Sequence, residues 1–368
     1  MNIRTNTLQK YLDVFGESEV VAAVSVVDGK KTPSNIIGIT NPVMRFLKNT
    51  TQIKAGKIYI RSNVRVPPGD YAYFRMISAL LSDLNKEIVS NESYRRQLAQ
   101  KILHHQSGPM LSAMNEILVA GYYKYLDIKV SLNSSAQPGA ADIDLVNLPF
   151  ATDTKIFPNK RLLLEAIVDD SAQYIVDVAK LIRNQGLLLS IFNPDKKKIQ
   201  RSLKELKKTF DDPEVGSYSD DTLHATVMEN DYPGADFHFS VQPNNVNIFF
   251  QASWDMAPSI EELKTSIEKA VKQAKVLSKQ AVPWVMVPRD ASRNGIEVQV
   301  LRFEGKFHQY VYEHDDIFMM PVYSLEFEGN KFSLIMDVFQ TGSNTFKVNS
   351  DTFMAFIKSL VSRSELYV

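Results

Sequence analysis

Between residues 137 and 157 the chain reads QPGAADIDLVNLPFATDTKIF, which sets Asp142, Asp144, Asp153 and Lys155 among apolar residues at strand spacing. Alternation along an extended strand sends side chains i and i+2 to one face, so Asp142 joins Asp144 and Asp153 joins Lys155. If NLPF makes a tight connection with Val146 opposite Ala151, Asp144 faces Asp153 and Asp142 faces Lys155. Cross-strand partners stand about 5 Å apart at Cβ, where two carboxylates repel each other. A divalent cation removes that repulsion. Mg²⁺ takes a carboxylate or two, keeps several waters and leaves positions for phosphate oxygens. A lysine beside such an ion can orient or help deprotonate a bound water and stabilise the charge that develops as a phosphodiester is attacked. The competing structural role for the same charges is an exposed sheet edge, where aspartate and lysine discourage edge pairing.

The elements that must hold these residues lie on either side. PMLSAMNEILVAGYYKYLD, from Pro109, has helical spacing, and IKVSL after it reads as a strand. Beyond the acidic stretch, SAQYIVDVAKLIRNQG carries Ser171 as an N-cap and Gly186 as the residue past the helix end, and LLLSIF follows as a buried strand. The order over 110–192 is therefore helix, three strands, helix, strand.

An acidic residue following a Pro-containing turn at the head of one strand, then (D/E)-x-K on the next, resembles the PD-(D/E)xK nuclease superfamily of restriction-endonuclease-like folds. That family's core has a helix, three strands, a helix and a fourth strand, in the same order. The resemblance implies a metal-dependent nuclease using Mg²⁺ or Mn²⁺ on DNA or RNA. By resemblance, Asp142 or Asp144 is the first metal ligand, Asp153 the second, Lys155 the catalytic lysine, and Glu116 in MNEILVAGYY the helix glutamate that supports the metal. Gly-Ala-Ala separates Pro138 from Asp142, where family members place the acid next to proline. Asp142 fits the family spacing and Asp144 fits the hairpin register, so both stay open. A non-catalytic interaction or assembly protein that keeps such a core as scaffold is the alternative, since fold does not fix function. A homodimer or a larger protein complex is compatible with either.

The triplet itself is common here: Asp28-Gly-Lys30, Asp127-Ile-Lys129, Asp195-Lys-Lys197, Glu205-Leu-Lys207, Glu262-Leu-Lys264 and Glu304-Gly-Lys306 share it. Asp153-Thr-Lys155 is the copy that sits mid-strand behind another acidic strand. A second register takes FATDTKIF as the first acidic strand and RLLLEAIVDD as the second, with Glu165 as ligand, and lacks a lysine because Ile167 holds that position. His104-His105 ends a helix, where imidazolium favours the dipole. Glu313-His314-Asp315-Asp316 reads as a solvated turn, and the aromatics of VNIFFQASW and KFHQYVYEH as strand packing. The lysine-dense helix PDKKKIQRSLKELKKTFDDPE reads as a solvated face. No Walker glycine loop, dinucleotide fingerprint, HExxH or GxSxG occurs, which argues against the enzyme classes built on them.

The rest of the chain frames four successive segments: a mixed α+β N-terminal unit (1–108), the nuclease-like α/β core (109–213), a second α/β unit (214–290) and a β-rich C-terminal region with a terminal helix (291–368). In the first, LQKYLDVF reads as a helix, EVVAAVSVV and KIYIRSNVRV as β-rich runs, and residues 71–105 as helices broken near Ser90-Asn91. In the third, YPGADFHF echoes QPGAADIDL. If that unit is a degenerate copy of the core, Asp236 matches the first acid while Gln251 and Ser253 replace the acid and lysine. The fold class expected is mixed α/β.

At 368 residues the chain exceeds one typical domain. Forty-two basic residues balance forty-two acidic ones, so nucleic-acid binding must come from a local patch and not from a global field. The absence of cysteine excludes disulfides, thiolate zinc sites and thiol nucleophiles, and fits a cytoplasmic setting. With no apolar run of roughly 18 residues, a soluble chain without a membrane partner is expected.

Overall fold

The computed structural model describes residues 5–29, 39–61, 67–133, 140–157, 160–182, 185–212, 215–229, 231–235, 237–241, 246–252, 260–287, 309–311, 313–328, 331–340 and 348–365. It is a mixed α/β protein whose contacts gather into two compact units that interleave along the chain. The first unit takes residues 1–26, 41–157 and 258–368, and the second takes 27–40 and 158–257. The boundaries therefore differ from the four successive segments read from the sequence.

The first unit opens with α1 (Thr5–Phe15) and α2 (Glu17–Gly29). EVVAAVSVV lies inside α2 and is helical, against the β-rich reading. Val20 and Val24, four residues apart, are both buried, so the packed stripe outweighs the strand preference of valine. Then come α3 (Pro42–Thr50), β1 (Thr51–Lys54), β2 (Lys57–Ile60), α4 (Pro68–Asp83), α5 (Asn85–Val89), α6 (Glu92–Ile102) and α7 (Ser107–Tyr125). Asn91 caps α6 by accepting from the Tyr94 amide at 3.0 Å, and its amide nitrogen donates to the Leu132 carbonyl at 2.9 Å. One side chain thus starts the helix and ties it to the next strand.

A six-stranded sheet follows. Its strands are β3 (Val130–Leu132), β4 (Ile143–Leu145) and β5 (Phe150–Ile156), then β11 (Gln280–Met286), β12 (Met319–Glu328) and β13 (Lys331–Gln340), in the order β13-β12-β11-β5-β4-β3. β3, β4 and β5 are antiparallel neighbours, whereas β5 and β11 run parallel. Parallel neighbours need a crossover, and here it carries residues 158–257 of the second unit followed by the helix α10 (Ile260–Val276). Ile267, Val271 and Ala274 of α10 cluster with Ala151, Ala281 and Val285 of the sheet. Thr152 and Trp284 point the other way, where both donate to the Tyr123 hydroxyl of α7, at 3.1 and 2.8 Å. α7 is buried along most of its length. A Cβ on its Gly121 would stand 2.9 Å from Leu80 Cδ2, so glycine sets the closeness of α7 to α4. α11 (Ser350–Glu365) ends the described chain.

The second unit has its own sheet. α8 (Lys160–Ala179), β6 (Gly186–Ile191), α9 (Lys196–Thr209), β7 (Ser217–Ser219), β8 (Leu223–Met228), β9 (Phe237–Val241) and β10 (Val246–Ala252) form it, with strand order β7-β8-β6-β10-β9. Its core joins Leu164, Val168 and Ile175 of α8 and Ile199, Leu203 and Leu206 of α9 to the sheet.

Several expectations are corrected by this topology. Residues 171–179 of SAQYIVDVAKLIRNQG, and LLLSIF, read as the second helix and fourth strand of the acidic sheet, belong to α8 and β6 of the second unit; Ser171 is therefore mid-helix and not an N-cap, Gly186 opens β6 instead of ending the helix, and β6 pairs with β8 and β10. RLLLEAIVDD is part of α8, which removes the register with Glu165 as ligand. Segment 214–290 does not close on itself as a copy of the core, because β8 to β10 belong to the second sheet and α10 and β11 to the first. Asp236 and Ser253 lie outside the described residues, as does IEVQVLRF; Gln251 lies on β10. In KFHQYVYEH the described residues 309–311 are helical and not extended. No helix among the described residues is long and apolar enough to cross a membrane.

Candidate functional site

The hairpin between β4 and β5 sets the site. Its register pairs Asp144 with Ala151 and Ile143 with Thr152, two residues away from the tight-turn expectation. The cause is local. The Val146 amide donates to the Lys129 carbonyl at 2.9 Å, on the β3 side, and so is not spent on β5. Asn147 then takes a left-handed φ of 66°, a conformation asparagine tolerates, and the Leu148 amide closes on the Leu145 carbonyl at 3.1 Å. A two-residue slip keeps every side chain on its face and changes only its partner. Continued by one residue, the ladder sets Asp142 against Asp153.

Asp142 is held there by Thr154, whose amide and hydroxyl reach its Oδ2 at 3.2 and 3.3 Å. Its carboxylate stands near enough to Asp153 to disfavour the charged form of that group. Asp153 is 2% exposed, neither of its oxygens receives a well-formed hydrogen bond, and the Lys155 ammonium is its ion-pair partner. Burial first, then the neighbouring Asp142, push the Asp153 carboxyl well above the usual carboxylate range, and Lys155 pulls the other way.

Glu116 approaches from α7. The residue before it, Asn115, donates to the Lys155 carbonyl at 3.0 Å and accepts from the Tyr323 hydroxyl at 2.6 Å, which fixes α7 against β5 at the level of the site. Glu116 is 4% exposed, and its carboxyl is raised from an ordinary 4.5 to about 7. Burial is the main cause and the Asp142 charge the next; Lys101 and Tyr94 oppose them. Lys101 Nζ stands 3.5 Å from Glu116 Oε2. The buried Tyr94 hydroxyl lies close to the same carboxylate, without good hydrogen-bond geometry, and burial and then the Glu116 charge keep it protonated far above the ordinary tyrosine range.

Asp144 stands apart. Its Oδ1 takes the Lys279 ammonium at 2.5 Å, and Lys279 also donates to the Leu145 carbonyl at 2.7 Å. Of the five residues singled out in the sequence, Glu116, Asp142, Asp153 and Lys155 are therefore brought together and Asp144 is not. Lys101, Tyr94, Thr154 and Asn115 were missed. Asn115 adjoins a named acid, and Tyr94 and Lys101 are seven residues apart on one helix face, but only the packing of α6 on α7 gives that spacing a meaning.

The acids suit a hard dication. Their donors are carboxylate oxygens, and a buried carboxylate without hydrogen-bond donors is better served by a cation than by the single ammonium beside it. Among the described residues no three His, Cys, Asp or Glu side chains stand in one metal-holding group. The arrangement is a facing aspartate pair with Glu116 adjoining one member. Glu313 to Asp316 is a turn in which Asp316 pairs with Lys275, as its solvated reading implied. No protein-family model, curated protein or solved structure matches the chain.

Proposed function

We propose that the protein is a metal-dependent phosphodiesterase acting on DNA or RNA, with Asp142 and Asp153 as ligands of Mg²⁺ or Mn²⁺, Glu116 in support and Lys155 as the catalytic lysine. The observation that carries this reading is the facing of Asp142 and Asp153 across the hairpin, with Lys155 on the same strand face. The topology supports it too. Helix α7, antiparallel β3 to β5, helix α10 and the parallel strand β11 follow the order of the PD-(D/E)xK core, with residues 158–257 of the second unit inserted after β5.

When bound, the dication would neutralise the paired carboxylates and make a coordinated water more acidic. The chain's own groups do the rest. Thr154 holds Asp142 in place, Asn115 fixes the backbone that presents Lys155, and the Lys155 ammonium can orient a water and answer the negative charge that grows on the phosphate.

A second reading is favoured by one feature: Glu116 and Asp153 each already have a lysine partner, in Lys101 and Lys155. A core so balanced can serve as a metal-free scaffold for assembly. Incubation of single- and double-stranded DNA and RNA with the chain in Mg²⁺ or Mn²⁺ separates the two. Cleavage that falls at least about a hundredfold in Asp153→Ala and in Lys155→Ala upholds the enzyme. Intact substrates, with no thermal shift on adding either cation, leave the scaffold.

A further inference from the structure

We infer that Lys101, which lies outside the helix-and-strand set carrying the acids, contacts a backbone phosphate of the bound strand. The inference rests on the nuclease reading above. Lys101 sits in the last turn of α6, and its ammonium is 3.5 Å from Glu116 Oε2, beyond ordinary N–H···O distance. Its side chain is 40% exposed while that of Glu116 is 6% exposed. The ammonium therefore stands at the rim with the carboxylate beneath it, pointed at the site yet open to solvent. α6 cannot drift from this position easily, because Asn91 ties its start to β3 and Leu98 and Ile102 are buried.

Charge completes the argument. Glu116, Asp142 and Asp153, with Lys101 and Lys155, sum to one negative charge when ionised, and a dication turns that to one positive. A phosphodiester carries one negative charge and matches it. A cation drawing on the Glu116 carboxylate weakens the hold of that carboxylate on Lys101, and the freed ammonium is left beside a positive centre, where an anion is its best partner. Lysine recognises phosphate as a point charge, so one non-bridging oxygen suffices.

The test uses the full chain and a fluorescent oligonucleotide, single-stranded and duplex, with Ca²⁺ in place of Mg²⁺ to hold cleavage in check. Lys101→Gln is expected to weaken binding several-fold and to lower the slope of log affinity against log salt by about 1, while Lys101→Arg keeps both. Mn²⁺ affinity without nucleic acid is expected to hold or rise and not to fall, because Lys101 and the cation compete for the Glu116 carboxylate. A wild type that binds and cleaves, together with Lys101→Gln of unchanged affinity and slope, overturns the inference alone. So does a loss of Mn²⁺ affinity with an unchanged salt slope, which would make Lys101 a partner of Glu116 only. A wild type that neither binds nor cleaves overturns the nuclease reading and this inference with it.

Discussion

Asp142 faces Asp153 across the β4–β5 hairpin, and the amide of Thr154 holds Asp142 there at 3.2 Å. Asp153 is buried and Asp142 half-buried, and two facing carboxylates so placed resist both staying charged without a counter-ion. Lys155 supplies part of the answer through its ion pair with Asp153. A proton or a second cation must supply the rest, and the choice between them depends on pH.

Glu116 makes that choice measurable. Its folded-state carboxyl titrates near 7 against 4.5 unfolded, so the folded state holds the proton more tightly. The associated stability is fully present below pH 4.5 and is lost as pH rises through 7, by about 3 kcal/mol at most. Asp153, shifted in the same direction, adds to the loss. Glu116→Gln is expected to flatten the fall and to be more stable than wild type at pH 8. Urea unfolding at pH 5 and pH 8 checks it; equal slopes with pH in both proteins would contradict the burial of a titrating Glu116.

A dication competes with that proton. Mn²⁺ or Mg²⁺ is expected to raise the melting temperature more at pH 8 than at pH 5, since Glu116, whose carboxyl is raised to about 7, holds its proton at pH 5 and has largely lost it at pH 8. Asp153→Asn is expected to abolish the shift and Asp144→Asn to leave it, because Asp144 is engaged by Lys279. A shift that survives Asp153→Asn would place the ion elsewhere.

The acidic hairpin was legible in the sequence because alternation and charge are local properties. Asp142, Asp153 and Lys155 share a face whichever even-numbered register the hairpin adopts. The partner of each was not legible, because the register turns on where the Val146 amide goes, and that depends on β3. The helix and strand that complete the sheet were assigned to α8 and β6 since these come next in sequence and look alike. In the structure the strand beside β5 is β11, preceded by α10, and both follow residues 158–257 of the second unit; no local pattern marks such an insertion. α2 was misread for a related reason: valine prefers strands, and only the buried Val20 and Val24 stripe shows why it is helical. Lys101 was invisible because its meaning lies in one tertiary contact.

The ion pair that removes Asp144 from the site has its own signature. Asp144 and Lys279 side chains are 27% and 17% exposed, and Lys279 also serves the Leu145 carbonyl. Lys279→Ala is expected to cost about 1 to 2 kcal/mol, and a double-mutant cycle with Asp144→Ala to return a coupling of about 0.5 to 1 kcal/mol. Oligonucleotide cleavage per folded molecule is expected to stay within about threefold in both single variants. A loss as deep as that of Asp153→Ala would make Asp144 the first metal ligand after all.

The position of Glu116 depends on how deeply α7 can sit, and Gly121 controls that depth. A Cβ there meets Leu80 Cδ2 at 2.9 Å and Phe356 Cζ at 3.3 Å, so a larger side chain requires those side chains to shift or α7 to move away from α4 and α11. Gly121→Ala gains helix propensity worth up to about 1 kcal/mol, which offsets part of the crowding. Gly121→Val has no such offset and is expected to destabilise by about 2 to 3 kcal/mol. Trimming the obstacle separates crowding from backbone effects. If the clash is with Leu80, Gly121→Val combined with Leu80→Ala loses less stability than the two single changes sum to, by at least about 1 kcal/mol. Strict additivity in urea unfolding would mean that α7 does not rest on Leu80 at this glycine, and that Glu116 is positioned by the other contacts of α7, those of Asn115 with Lys155 and Tyr323 and of Tyr123 with Thr152 and Trp284.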